Sequence, residues 1–297
     1  MNLSDSTTRS VAGWKPIGSR ELGAALRLVV LYAISGAVAL VCLIPILWLL
    51  KTSFESREFV RDAQIQFWPI QPTLENYRDV ITNPHAIMGR SMLNSLIVAS
   101  LSTLLNVAIT ASAGYAMSRF EFKGKLVFGA YLLLLYMIPR TLVFIGMFLM
   151  LARLHLINNL MGLVITYAAG GIPLSTWWLK GYFDAVPVEI EEQGMIDGCG
   201  RLGTLWRLVV PLALPGVAAV AIFQFIESWN EFMMALAIIQ SPELRTLPTQ
   251  IVYFMGFQRT DWGPTMAFSV IVAIPAIIMF AFTQRNLVSG LMSGFSK

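Results

Sequence analysis

The stretch from Phe183 to Pro215, FDAVPVEIEEQGMIDGCGRLGTLWRLVVPLALP, is acidic and rich in glycine, and long apolar runs lie on either side of it. No other sizeable segment with this composition lies between two apolar runs in the chain. A polar segment that is structured and flanked in this way is positioned to reach the water beside a membrane. We therefore expect Phe183–Pro215 to contact another molecule there.

The rest of the chain is far more apolar than a soluble protein. Hydrophobic residues make up 56% of the 297 residues and charged residues only 13%, whereas soluble domains contain roughly 25% charged residues. Apolar runs long enough to cross a hydrocarbon core about 30 Å thick cover residues 22–50, 91–117, 126–151, 160–178, 206–239 and 265–283. The sequence therefore predicts an all-α, polytopic membrane protein with six transmembrane helices.

The apolar runs also predict how the chain is organised about the membrane. We expect an N-terminal arm (1–21), a transmembrane domain (22–283) that contains a long loop (51–90) and the polar loop (183–205), and a tail (284–297). Six spans place both termini on one side, and twelve of the 21 lysines and arginines fall on that side. Because short cytoplasmic loops carry an excess of basic residues, we expect the termini and the 183–205 loop to be cytoplasmic, and the 51–90 loop to be periplasmic.

The polar loop has the sequence signals of two short helices. Pro187 suits the first turn of a helix, and acidic residues that follow it favour the positive N-terminal end; they are Glu189, Glu191 and Glu192. Gly198 and Gly200 allow the chain to reverse before a second amphipathic turn, Leu202 to Trp206. We call Pro187–Trp206 the two-helix loop. Its acidic helix suits an anionic membrane surface poorly, so a basic protein partner is a better match.

The loop resembles the signature loop of the membrane subunits of bacterial ABC importers. That signature runs Glu-Ala-Ala, two residues, Asp-Gly-Ala, and later an apolar run with Leu-Pro. The residues at matching positions here are Glu192, Asp197, Gly198, Pro211, Leu212 and Pro215. The chain departs from the pattern where Gln193 and Gly194 replace the paired alanines and Cys199 replaces the third alanine.

Other motifs, in the same order along the chain, are similar to the carbohydrate branch of these importers. They are PTLENY (72–77), IPLSTWWLKGYF (172–183), WNEF (229–232) and QRNLVSGLMSG (284–294). Together with the loop they extend the likeness from about residue 40 to the end of the chain. The chain therefore resembles the second, six-span permease subunit of maltose-type systems.

This resemblance implies a type I ABC importer permease fold and a division of labour. The chain would be the permease subunit of an ATP-driven, binding-protein-dependent importer for a sugar or oligosaccharide. Its implied partners are a second permease subunit, with which it would form a heterodimer, two cytoplasmic ATPase subunits, an external solute-binding protein, the sugar and membrane lipid. Nucleic acid is not an implied partner. ATP and Mg would bind the ATPases, because this chain contains no GxxxxGK[ST] phosphate loop and only two histidines. We expect no cofactor or metal on the chain and no enzymatic activity.

The resemblance also assigns roles to particular residues. Contact with an ATPase would involve Glu191, Glu192, Met195, Asp197, Gly198 and Gly200 in the loop. In the tail, Gln284, Arg285 and Gly290 would reach between the ATPases. We expect the transport path to include the polar and aromatic residues Glu227, Trp229, Asn230, Glu231 and Phe232, a mixture suited to sugar hydroxyls and rings.

The two glutamates of the fifth run support a path or an outer boundary. Glu227 and Glu231 lie four residues apart, which places them on one face of a continuous helix. Each would cost roughly 2.5 to 3.5 kcal/mol if it faced lipid at the bilayer centre, so they must face protein, a water-filled cavity or the outer interface.

Two other classes of protein share part of this pattern. An ion-coupled secondary transporter would also have broken helices and carboxylates within its spans, but it would not need an acidic two-helix loop in the cytoplasm. A structural subunit of a membrane complex would explain the loop but not the polar end of the fifth run. Vanadate-sensitive uptake separates the importer from both.

Overall fold

The computed structural model describes the backbone of residues 19–61, 67–83, 87–255 and 260–294, and the side chains of residues 26–60, 67–83, 87–255 and 260–281. Within these ranges all regular structure is helical, apart from an isolated antiparallel bridge between Glu55 and Pro72. The all-α prediction is therefore confirmed.

The helices follow one another along the chain with short connections. In order they are α1 (Ser19–Ser53), α2 (Arg57–Arg61), α3 (Glu75–Thr82), α4 (Met88–Arg119), α5 (Lys125–Met137), α6 (Arg140–Arg153), α7 (Leu160–Asp184), α8 (Val188–Ile196), α9 (Arg201–Thr204), α10 (Val210–Leu212), α11 (Leu214–Trp229), α12 (Met233–Ile238), α13 (Ile251–Met255) and α14 (Trp262–Gly294). A π-helical segment, Leu205–Val209, joins α9 to α10, and 3₁₀ turns at Pro242–Leu244 and Pro248–Gln250 precede α13.

Four of these helices, α1, α4, α7 and α14, are long and apolar enough to cross a membrane without a break. Two further runs are bent pairs of helices: α5 and α6 meet at 94°, and the Arg201–Leu212 segment meets α11 at 86°. Counting each bent pair as one span gives the six spans that the sequence predicts. The closed hydrogen bonding of a helix is what allows such runs to enter lipid.

The two bends interrupt the apolar runs at 126–151 and 206–239, and prolines lie at both of them. Pro139 disfavours helical backbone in the residue before it, and Ile138 is extended at φ −68° and ψ 124°. At the second bend, Ala213 lies between Pro211 and Pro215, whose rings cannot donate the backbone hydrogen bonds of a continuing helix. The fifth run is interrupted again where α11 ends at Trp229 and α12 begins at Met233.

The chain forms two compact units, residues 1–49 and 50–297. The first contains α1 as far as Leu49, and its described side chains are almost all exposed and apolar. The second contains the end of α1 and all the helices that follow it. All contacts described below lie within the second unit.

The core of the second unit is a bundle in which α4 packs along α7 and α11. A stripe of small and polar residues on α4 is buried, as its helical spacing predicts; it comprises Ser95, Ala99, Ser102 and Asn106. The Asn106 side chain donates to the Ala168 carbonyl at 2.8 Å, and Ser102 donates to Ser228 at 3.0 Å. Polar side chains therefore join α4 to both of its neighbours.

The bundle has two distinct ends. At one end, α4 finishes at Arg119 beside the end of α7 and the two-helix loop, which Arg119 contacts through Glu191. At the other, Asn94 near the start of α4 donates to the Glu243 and Arg245 carbonyls at 2.9 and 3.0 Å. The 240–250 connection therefore lies at the end opposite the loop.

Candidate functional site

The two-helix loop forms as its sequence predicts, with helices α8 and α9 on either side of a tight bend. Pro187 immediately precedes α8, and Glu189 and Glu191 lie in the first turn, where negative charge favours the helix N-terminus. After α9 the chain continues through the π-helical segment Leu205–Val209 to the bend before α11. The loop is therefore continuous with α7 on one side and with α11 on the other.

The bend between α8 and α9 is a Schellman motif centred on Gly198. Gly198 has a φ of +88°, its N–H donates to the Met195 carbonyl at 3.1 Å, and the Cys199 N–H donates to the Gly194 carbonyl at 2.9 Å. These bonds satisfy carbonyls that the helix end leaves free. Only glycine adopts the left-handed conformation at little cost, so the bend requires glycine at 198.

The other predicted bend residues have different positions. Gly200 has an ordinary φ of −71°, so the prediction that both glycines permit the reversal applies to Gly198 alone. Asp197 is the exposed C-cap of α8, and its N–H donates to the Gln193 carbonyl at 3.0 Å. The hydrogen bonds that close the bend come from the main chain.

The Glu191 side chain points into the protein, where it contacts α4. Its side chain is only 2% exposed. The Arg119 Nε donates to one carboxylate oxygen at 2.6 Å, and the Tyr115 hydroxyl donates to the other at 2.8 Å. Arg119 also donates to the Val186 carbonyl at 2.9 Å. Glu191 therefore fixes the loop to the end of α4, whereas the neighbouring Glu192 is exposed.

Further contacts hold the end of α7 to the same place. Ser118 donates to Asp184 at 2.6 Å, and Lys180 donates to the other oxygen of Asp184 at 2.5 Å. Gly194 is buried against Leu208, whose side chain occupies the space that a Cβ at 194 would need. The Ser118–Asp184 bond thus holds α7 to α4, and Gly194 fits closely against the π-helical segment that follows the loop.

The outer face of the loop combines apolar and acidic side chains that the chain leaves exposed. Ile196 is 84% exposed and Leu202 72% exposed. Other exposed residues on the loop include Val188, Glu189, Glu192, Met195, Asp197 and Trp206, and the basic Arg201 is exposed there too. A surface that combines exposed apolar and acidic side chains can dock in a partner's cleft that has basic residues near its edge.

The predicted path residues do not form one surface. Glu227 accepts from the Arg140 guanidinium at 2.8 Å, and these side chains are 38% and 57% exposed. Asn230 is exposed and Phe232 half-buried. Glu227 and Asn230 are therefore accessible from outside the chain, at the end of α11 away from the two-helix loop.

Trp229 lies in the core instead of on a path. It is 1% exposed, its indole N–H donates to the Val272 carbonyl at 3.1 Å, and its ring stacks on Phe225 with centroids 6.0 Å apart. A cargo molecule cannot stack on a ring that is enclosed in this way. This placement corrects the prediction for Trp229.

Glu231 caps a helix and does not share a helical face with Glu227. Because α11 ends at Trp229, the four-residue spacing of the two glutamates does not place them on one helix. The Glu231 carboxylate accepts from the Tyr167 hydroxyl at 2.6 Å and from the N–H groups of Met234 and Ala235 at 2.9 and 3.1 Å. It thereby satisfies free N–H groups at the start of α12.

The predicted tail contacts lie outside the described side chains. The backbone of Gln284, Arg285 and Gly290 continues α14 to Gly294. Among the side chains that the structure does describe, no group of three or more His, Cys, Asp or Glu could hold a metal ion.

Sequence reasoning missed two contacts that the fold creates. The Arg119–Glu191 and Arg140–Glu227 pairs each join residues far apart in the chain. Tyr115 and Arg119 lie four residues apart on α4, a spacing that places both on one face of the helix. No pattern in the sequence indicates which glutamate these two side chains bind.

Residues 107–292 match the protein family described as binding-protein-dependent transport system inner membrane component. The chain is 38% identical over 268 residues to the trehalose/maltose transport system permease protein MalG of Thermococcus litoralis, covering 89% of this chain and 95% of that protein. It is 32% identical over 252 residues to the sulfoquinovosyl glycerol transport system permease protein SmoH of Agrobacterium fabrum, covering 85% and 88%. Its fold is similar, with a TM-score of 0.75 and 21% identity, to a chain of a bacterial ABC transporter that imports the acidic polysaccharide alginate, covering 91% of this chain and 99% of that one.

Proposed function

We propose, since this chain belongs to the family of binding-protein-dependent transport system inner membrane components, that it forms half of the translocation path for a sugar or oligosaccharide. The observation that carries the proposal is the two-helix loop, whose inner face is fixed to the bundle and whose outer face is exposed, acidic and apolar. A partner that docks on such a loop can move it, and the loop can pass that movement to the bundle.

Carbohydrate is the cargo class that the relatives support. Two proteins that are 38% and 32% identical to this chain are named as permeases for trehalose/maltose and for sulfoquinovosyl glycerol. The exposed Glu227–Arg140 pair and Asn230 provide carboxylate, guanidinium and amide groups that can hydrogen-bond to sugar hydroxyls. They are the path residues of the proposal, with Phe232 beside them.

The complete importer would contain several other chains. This permease would pair with a second, similar permease, and each of the two would bind one of two cytoplasmic ATPase subunits through a loop of this kind. An external binding protein would deliver the cargo. ATP and Mg would be bound by the ATPases, with no cofactor on this chain. Both termini and the two-helix loop would lie in the cytoplasm, and the 51–90 loop would lie on the opposite side.

ATP binding would act on the permease through the loop. Closure of the ATPase dimer would move the loop as a rigid body, with Glu192 paired to a basic ATPase residue and Met195 seated in the cleft. Gly198 sets the angle between α8 and α9 through its left-handed backbone. The movement would pass to α7 and α11, which are continuous with the loop, and would open the path outward.

Copurification tests the partnership directly. A tagged form of this chain, expressed with its neighbouring importer genes, should retain an ATPase subunit in mild detergent. Glu192→Ala and Gly198→Val should reduce the retained ATPase, while Asn230→Ala, at the opposite end of α11, should not. Equal retention by all of these variants would remove the assigned role of the loop.

A further inference from the structure

We propose that Glu191 and Arg119 transmit the movement of the two-helix loop to α4, so that the loop, α4, α7 and α11 turn as one rigid body. The inference rests on the proposed function, because it concerns how movement of the loop reaches the path. The covalent connections of the loop lead only to α7 and α11, so α4 would otherwise receive the movement only indirectly, through its contacts with those two helices. Glu191 thereby acts inward as a positioning residue and makes no contact with the ATPase.

The contact between the loop and α4 consists of buried charged and polar groups that are fully paired. Glu191 and Arg119 are 2% and 11% exposed, and each carboxylate oxygen has its own donor, Arg119 at 2.6 Å and Tyr115 at 2.8 Å. A second bond from Arg119, to the Val186 carbonyl, holds the segment that leads into the loop. Buried charges that are fully paired resist separation, because either partner left alone would be an unpaired buried charge.

The middle of α4 is fixed to α7 and α11 by a second set of buried bonds. Asn106 donates to the Ala168 carbonyl of α7, and Ser102 donates to Ser228 of α11. Gln224 of α11 donates to the Tyr167 carbonyl of α7 at 3.0 Å. The three helices are thus joined pairwise by hydrogen bonds in an apolar interior, where polar groups without partners are costly.

The two sets of contacts lie far apart along α4, and this separation prevents the helix from tilting by itself. Arg119 and Ser102 are 17 positions apart, which corresponds to about 26 Å along a helix that rises 1.5 Å per residue. A helix that is fixed at two points this far apart must move with the loop. In contrast, residues 1–49 form a separate compact unit, so the exposed Cys42 of α1 provides a reference outside the rigid body.

Distance measurements between spin labels test the proposal without knowledge of the cargo. Replacing Cys42 with serine leaves Cys199, in the loop, as the only cysteine of the chain. The loop-to-α4 pair is completed by Ser112→Cys at an exposed position of α4. The loop-to-α1 pair keeps the exposed Cys42 and needs no added cysteine. Distances are measured in the reconstituted complex of permeases and ATPases, without nucleotide and after trapping with ATP and vanadate.

We expect the loop-to-α4 distance to be narrow and the same in both states, whereas the loop-to-α1 distance changes on trapping. Glu191→Gln should broaden or shift the loop-to-α4 distance on trapping, and Tyr115→Phe should do so more weakly. Glu121→Gln, an exposed acid that lies outside the loop and two residues beyond the end of α4, is the matched control and should behave as the unmodified chain.

A loop-to-α4 distance that changes on trapping in the unmodified chain would overturn this inference alone, even if Glu191→Gln fails to fold. If the loop-to-α4 distances of the Glu191→Gln chain after trapping equal those of the unmodified chain, the inference is also overturned. A chain that assembles with no ATPase, and so cannot be trapped, would refute the proposed function and this inference together.

Discussion

Replacing Gly198 with alanine should loosen the two-helix loop, whereas the same change at Gly200 should not. Gly198 has a φ of +88° and Gly200 a φ of −71°, and a Cβ at either position would meet no atom within 4 Å. The pair therefore isolates backbone conformation from steric contact. Left-handed backbone costs a residue with a Cβ about 1 to 2 kcal/mol.

The net effect can be worked from two opposing contributions. Alanine restricts the unfolded chain more than glycine does, which offsets about 0.4 to 1 kcal/mol. Gly198→Ala should therefore lower the free energy of local opening by about 1 kcal/mol, a factor of about five in the opening equilibrium. Gly200→Ala should leave it unchanged or raise it slightly.

Hydrogen exchange of the loop measures this difference. The Cys199 N–H bonds to the Gly194 carbonyl only while the bend is intact, so its exchange should be about fivefold faster in Gly198→Ala. Gly200→Ala is the control, and amides of α4 in the same samples should be unchanged. Equal exchange rates in the two variants would refute the Schellman bend as the element that holds the loop.

Three further substitutions test other parts of the structure by unfolding in detergent. Trp229→Ala should cost about 3 to 5 kcal/mol because it empties a core site, while Asn230→Ala should cost under about 0.5 kcal/mol; equal costs would contradict the burial of Trp229. Glu231→Ala should cost about 0.5 to 2 kcal/mol through lost capping of α12, and a neutral result would remove that role. Gly194→Ala should cost about 1 to 3 kcal/mol by overpacking against Leu208, and adding Leu208→Ala should recover part of it; strictly additive losses would contradict the contact.

The sequence predicts features that depend on composition and on local backbone rules. Apolar runs of sufficient length locate the spans. Gly198 indicates a bend at the end of α8, whatever surface that helix packs against. The small residues Ser95, Ala99 and Ser102 recur at helical spacing, and the structure buries all of them. These properties follow from the chain itself and need no knowledge of tertiary contacts.

Features that depend on docking could not be predicted in the same way. Glu191 and Glu192 are adjacent and chemically identical, and only the packing of α8 against Arg119 sends one inward and the other outward. A proline in an apolar run can kink a helix or break it, so Pro139 alone does not indicate the 94° bend. The end of α11 at Trp229 likewise depends on the Glu231 contacts that follow it.

ATP-dependent uptake by proteoliposomes that contain the whole importer tests the central claim most directly. The labelled sugar should be one that the cognate binding protein retains in a binding screen. The account predicts uptake that requires ATP, stops with vanadate and is unaffected by ionophores that collapse ion gradients. Uptake that continues with vanadate and stops with an ionophore would contradict it.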